Sequence, residues 1–158
     1  MRRDLAPLLL AAAILPAAAP PPIGGAPDSA TIVASPAAAA ARPSALLLKL
    51  HYDMLCAQPG RGPVYVTFPR AFRLPGRIAR AAVRVDDNAP PSVVLHGRTA
   101  TIGLALNSNV ICQSLVPGTL RIAFTRAAKL GNPAHPGTYA FRAQVGTHSF
   151  VARLLIRR

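Results

Sequence analysis

The stretch that decides the fold is Tyr139-Ala-Phe-Arg-Ala-Gln-Val-Gly-Thr-His-Ser-Phe-Val-Ala-Arg-Leu-Leu-Ile156. Tyr139, Phe141, Ala143 and Val145 alternate with Arg142 and Gln144. Gly146 breaks the pattern. Phe150, Ala152, Leu154 and Ile156 then alternate with Arg153 and Arg157. A period of two sends one set of side chains to a buried face and the other to water. The segment therefore reads as two half-buried strands joined by a turn.

The same period runs through the chain upstream. Leu46, Leu48, Leu50, Tyr52 and Met54 alternate with Lys49, His51 and Asp53. Val64, Val66 and Phe68 alternate with Tyr65 and Thr67, and Val83 and Val85 with Arg84 and Asp86. Ile102, Leu104 and Leu106 follow Ala100, and Leu120, Ile122 and Phe124 alternate with Arg121 and Thr125. Turn formers separate these runs: Pro59-Gly60, Pro75-Gly76, Asp87-Asn88, Gly97, Pro117-Gly118, Pro136-Gly137 and Gly146. The pattern predicts strands over 45–55, 63–69, 81–86, 92–96, 98–106, 118–126, 138–145 and 149–157. Short helical turns are expected at 70–80 and 127–131, where Arg and Ala cluster. Short strands at regular spacing make the fold class all-β, an antiparallel sandwich of seven or eight strands.

Two quoted blocks carry a resemblance. One is Val64-Tyr-Val-Thr-Phe-Pro69, Phe72, Leu74-Pro75, Ile78 and Val83-Arg-Val85. The other is Leu120-Arg-Ile-Ala-Phe124, Ala128, Asn132-Pro133 and Pro136-Gly-Thr-Tyr139. Together they resemble the immunoglobulin-like domains of bacterial surface and S-layer-type proteins, over most of residues 45–158. The resemblance implies an immunoglobulin-like sandwich with a structural or adhesive role, and no catalytic residues. No Trp stands beside the Cys pair, so an antibody-type core is not expected.

Length and composition set bounds. A chain of 158 residues suits one domain with a tail. Lys and Arg total 18 against 5 Asp and Glu, a net charge of +13, and Glu is absent. So few carboxylates disfavour a carboxylate-based hydrolase. Apolar content of 51% and regular patterning exclude a wholly disordered chain. Collagen, coiled-coil and multi-span membrane compositions do not fit.

The N-terminus reads as an export signal. Met1-Arg2-Arg3-Asp4 is a short charged start, Leu5 to Ala19 is apolar, and Ala17-Ala18-Ala19 offers small residues for cleavage. Cleavage after Ala19 leaves Pro20 first, so a site at Ala17 or further on is an alternative. The apolar run is shorter than the about 20 residues of a spanning helix. No transmembrane span is expected after signal removal. Localisation is expected to be exported: periplasmic, cell-surface or extracellular. Residues 1–19 are thus a signal peptide, 20–44 an Ala/Pro-rich disordered linker, and 45–158 the sandwich domain.

An internal regularity appears at an offset of 56. Phe68-Pro-Arg-Ala-Phe-Arg-Leu74 matches Phe124-Thr-Arg-Ala-Ala-Lys-Leu130, and the same offset pairs Cys56 with Cys112. A duplication predicts that 46–101 superposes on 102–157 with the same strand order. Chance in an Ala-, Leu- and Arg-rich chain is the alternative.

Two Cys in an exported chain suggest a disulfide. Reversal of the chain at each turn places loops 56–62, 87–91 and 107–117 at one end, so Cys56 and Cys112 are expected to pair. Such a loop closure contributes about 4 kcal/mol in the chain-entropy model. No Cys-x-x-Cys supports a redox role.

The same reversal sorts the charges. Arg70, Arg73, Arg77, Arg80, Arg98, Arg126, Lys129, Arg157 and Arg158 fall at the other end, while Asp53, Asp86 and Asp87 fall near the Cys end. A pole of one sign attracts polyanions in a salt-dependent way. Candidate partners are an envelope or surface protein, or an anionic polymer: wall polymer, lipopolysaccharide or acidic lipid heads. Nucleic acid is disfavoured, because Phe72 is the one aromatic near the cluster and base stacking needs more. The bland alternative is a coding bias toward Arg.

Other chemistry is thin. His51, His96, His135 and His148 form no metal-ligand spacing, so no metal or cofactor is expected. His51 and Asp53 share one strand face, which leaves a metal-binding or enzymatic protein as a remote alternative. No nucleophile motif or phosphate loop is present. The leading expectation is a non-enzymatic, exported envelope or surface interaction or scaffold module. A polyanion-binding protein is second.

Overall fold

The computed structural model describes residues 28–52, 63–104, 118–146 and 148–158. Among the described residues, nine strands form two antiparallel sheets. They are β1 (Ser29–Ser35), β2 (Ala45–Tyr52), β3 (Val64–Thr67), β4 (Val83–Val85), β5 (Val93–His96), β6 (Thr99–Ile102), β7 (Gly118–Phe124), β8 (Gly137–Val145) and β9 (His148–Ile156). One sheet runs β1-β2-β7-β4 and the other β5-β6-β3-β8-β9. The fold is an all-β sandwich, as the alternation predicts.

The alternation is also the reason for the layers. In β9, Phe150, Ala152, Leu154 and Ile156 are buried while Val151, Arg153 and Leu155 are exposed. In β7, Leu120, Ile122 and Phe124 point inward against Leu50, Leu48 and Leu46, their partners on β2. The inner faces of both sheets thus supply one continuous core. Toward the β3–β4 connection the core turns aromatic. Phe68 meets Phe124 and Phe141 edge to face at 5.3 and 5.6 Å, and Phe72 meets Phe141 at 4.9 Å. Phe68 and Phe124 are partners in the offset of 56, and their contact joins the sheets.

The eight expected strands are present: β3 to β7 are shorter than expected, β8 starts one residue earlier, and β9 is shifted by one residue. The ninth, β1, corrects the linker expectation for its C-terminal part. It pairs along its whole length with β2, from Ser29 opposite His51 to Ser35 opposite Ala45. Ile32 is buried and Ala30 and Ala34 pack against the core, which is enough to hold a strand. Beyond β1, the amide of Ala39 donates to the Arg157 carbonyl at 2.8 Å, and that of Arg157 to Ala37 at 2.9 Å. Asn132, fully buried, donates through Nδ2 to the carbonyls of Pro36 and Ala38 at 2.9 and 2.7 Å. Segment 28–44 is therefore part of the domain.

Helical character is smaller than expected. One 3-10 turn spans Arg80–Ala82 and another Arg126–Ala128. In each, the last Ala is buried and the Arg is exposed.

The topology has an internal symmetry. Adding four to each strand number of β1-β2-β7-β4, with β7 counted back to β3, gives β5-β6-β3-β8. The two four-strand units thus trade their third strands, and β9 is appended to β8. The offset of 56 carries β3 and β4 onto β7 and β8, and the start of β2 onto the end of β6. It also matches 93–96 with β9, and here the topology differs: β5 occupies the place of β1. The strand-for-strand superposition of 46–101 on 102–157 fails at that pair.

Candidate functional site

The strand registers place the expected cations. β3 and β7 both run toward the same end, as do β5 and β9, while β8 starts there. The segments after β3 and β7, the Gly97–Arg98 turn and the C-terminus therefore share one end of the sandwich. Backbone pairing ties the first two together: Arg73 and Gly131 exchange hydrogen bonds at 3.0 and 2.9 Å. Arg70, Arg73, Arg77, Arg80, Arg126, Lys129, Arg157 and Arg158 are all exposed there. Between the segments lies an open depression of about 570 Å³, lined by Pro75, Gly76, Arg77, Ala79, Ala127, Ala128 and Lys129. Lys129 itself stands in the left-handed region (φ 56°, ψ 31°) at the end of its 3-10 turn. A side chain with a Cβ is disfavoured there by roughly 1–2 kcal/mol.

Arg98 differs from the other expected site residues. Gly97, at φ 57°, takes the first position of the two-residue β5–β6 turn, where such hairpins favour Gly. The turn aims Arg98 back across the 68–72 segment. Its Nε donates to the Phe68 carbonyl at 3.2 Å and its Nη2 to the carbonyls of Phe72, at 2.7 Å, and Pro69. Arg98 is a half-buried latch that shapes this end, and its guanidinium is directed at the backbone.

One residue was missed. Arg42 lies in the segment expected to be a linker, yet its side chain crosses Gly131, about 2.9 Å from where a Cβ on that glycine would sit. It adds an exposed cation to the same end. The signal available in the sequence was the Ser29–Ser35 alternation, which brings the following chain back to the domain.

The acids lie away from this end, but not all where expected. Asp28 contacts His148 at 2.6 Å at the opposite end. Asp86 and Asp87 stand lower than expected, because β4 ends at Val85, level with Ile122. The amide of Asp86 donates to the Arg121 carbonyl, that of Arg121 to Asp86 Oδ1 (each 2.9 Å), and Arg121 Nη1 is 3.8 Å from Asp87. These two acids therefore mark the middle of the four-stranded sheet's edge. Asp53, Cys56 and Cys112 lie outside the described residues, and so does the expected disulfide.

His51 bonds Thr119 at 2.9 Å. Among the described residues, no group of three His, Cys, Asp or Glu side chains is placed to hold a metal ion. No helix among them is long and apolar enough to cross a membrane.

No protein-family model matches the chain. No curated protein matches it either. Among solved structures the fold is similar to the crystal structure of BslA, a bacterial hydrophobin, with a TM-score of 0.52 and 18% identity. The match covers 82% of this chain and 98% of that one. At this identity the likeness shows the fold: the chain shares its β-sandwich with a bacterial hydrophobin.

Proposed function

We propose that the chain is an exported, non-catalytic interaction module of the bacterial envelope or surface. It docks through its cationic end on an anionic envelope polymer. The observation that supports this most is the gathering of exposed Arg70, Arg73, Arg77, Arg80, Arg126 and Lys129 at one end of the sandwich, where Arg77 and Lys129 line an open depression. No carboxylate among the described residues reaches them. Unmatched charges held on a rigid end add their potentials and attract a polyanion at long range. The export signal read at 1–19 supports the envelope location.

The test is retention of the purified chain on heparin and on anionic vesicles across a salt gradient. Retention should be strong near 0.15 M salt and lost toward 1 M, as the screening length falls from about 8 to about 3 Å. No retention at low salt rejects the docking mode.

The likeness to a bacterial hydrophobin favours a second reading, that this chain is also a hydrophobin. Surface tension of its solutions tests that reading. An undiminished air–water tension rejects it and leaves the polymer-docking reading in place.

A further inference from the structure

A trough on the outer face of the four-stranded sheet is separate from the depression at the cationic end. The register builds it. Val33 of β1, Leu47 of β2, Ala123 of β7 and Arg84 of β4 stand in one row across the sheet. One step toward the cationic end, Ser35 stands opposite Ala45. Ala45 and Ala123 on the central strands are small, and they lie among the larger Leu47 of β2, Val33 of β1 and Arg84 of β4. Small residues between larger ones leave a groove of about 370 Å³. That size lies in the roughly 300–1,000 Å³ range of small-molecule sites.

The floor is apolar and the rim is charged. Val33 is 57% exposed to solvent, and Leu47, Ala45 and Ala123 are half-buried beside it. Arg84, Arg121, Arg126 and Asp87 line the groove. Asp87 stands 3.8 Å from Arg121, so these two largely offset each other. Arg84 is steadied by donating through Nη1 to the carbonyls of Ala81 and Val83, at 3.2 and 3.3 Å. Arg126 opens the second 3-10 turn at the groove's lower end. Two guanidiniums therefore face an apolar channel without a matching carboxylate among the described residues.

We propose that this trough binds a single-chain anionic amphiphile of the fatty-acid class. Its hydrocarbon tail lies on Val33, Ala45, Leu47 and Ala123, and its carboxylate meets Arg84 and Arg126. Charge complementarity selects this occupant. A neutral lipid leaves both guanidiniums unanswered, whereas a hydrophilic polyanion gains nothing from the apolar floor. Guanidinium–carboxylate hydrogen bonds are among the strong ones, and tail burial adds to them. The inference does not rest on polymer docking, since it uses another face and shares only Arg126 with it.

The test is calorimetric titration of the full chain with laurate below its micelle concentration. Lauryl maltoside keeps a similar tail without charge, and butyrate keeps the head without the tail. Laurate should bind one to one, the neutral probe at least about tenfold more weakly, and butyrate not at all. Ala123→Leu fills the channel and Arg84→Gln removes a head contact; both side chains face outward. Each should weaken laurate at least about tenfold, while Arg70→Ser should leave it unchanged. Amide resonances of Val33, Leu47 and Ala123 should shift on binding. Equal affinity for laurate and the neutral probe overturns the proposal. So does laurate binding that both groove variants leave intact. Absent laurate binding with a dimer that Arg84→Gln dissociates overturns it in favour of a second copy of the chain.

Discussion

Arginines at the cationic end and arginines along the four-stranded sheet are the same residue in different surroundings. Arg121, midway along the sheet, has carboxylates on both counts: Asp86 accepts from its amide and Asp87 faces its guanidinium. Arg70, Arg73, Arg77, Arg80 and Arg126, beyond the strand ends, have no such partner among the described residues. Arg98 belongs to neither group, because backbone carbonyls take up its donors. The difference teaches that net charge alone does not define a site. Position decides which cations remain available and which hold the scaffold.

The largest effect should come from the scaffold beneath the cationic end. Phe68→Ala removes a ring that is 2% exposed and touches both sheets, and should cost about 3–5 kcal/mol in urea unfolding. Polyanion retention should weaken with it, since the 68–74 segment loses its anchor. An unfolding midpoint close to wild type would contradict the packing described.

Arg98→Met comes next. It keeps an apolar stem but leaves the Phe68 and Phe72 carbonyls without their donor, and should cost about 2–3 kcal/mol. Arg98→Lys restores a charge without the fork, and should recover only part of this. If Arg98→Met is as stable as wild type yet binds less, Arg98 is a ligand and the latch is wrong.

Asn132→Ala tests the opposite side of the same end. Loss of the bonds to Pro36 and Ala38 should cost about 2 kcal/mol. Limited proteolysis should then cut 28–44 first. Cleavage elsewhere would mean that Asn132 does not fasten that segment.

Lys129→Gly should move stability least. Relief of the left-handed backbone, about 1 kcal/mol, offsets the roughly 0.5–1 kcal/mol entropic cost of Gly. Retention on heparin should nevertheless fall. A variant that binds as well as wild type would remove Lys129 from the site.

Much of this was legible because a strand with one wet face writes a period of two. Leu120, Ile122 and Phe124 against Arg121 and Thr125 leave no other reading. β1 wrote it faintly. Its inward residues include Ala30 and Ala34, its outward ones include Val33, and Pro36 and Pro43 follow. Small apolar residues inside and a large one outside cancel the contrast that marks a strand. Missing β1 also hid Arg42 and gave β5 the wrong counterpart in the symmetric topology. Chain reversal sorted the cations correctly, since it needs only strand parity. It misplaced Asp86 and Asp87, because parity does not reveal that β4 stops after three residues. The role of Arg98 was not legible: it depends on a turn beside Gly97 meeting a segment some 30 residues away in sequence.

The most direct test of the central claim compares two variants of equal net charge. In one, Arg70, Arg73, Arg126 and Lys129 become Ser, which removes four cations from the cationic end. In the other, Lys49, Arg121, Arg142 and Arg153, which lie on the sheets, become Ser. Surface changes of this kind should alter stability by only about 0.5 kcal/mol per site. The measurement is the salt concentration that elutes each from heparin. The account predicts that the first variant elutes far earlier than the second, which stays near wild type. Equal elution of the two would show that total charge, and not the cationic end, determines binding.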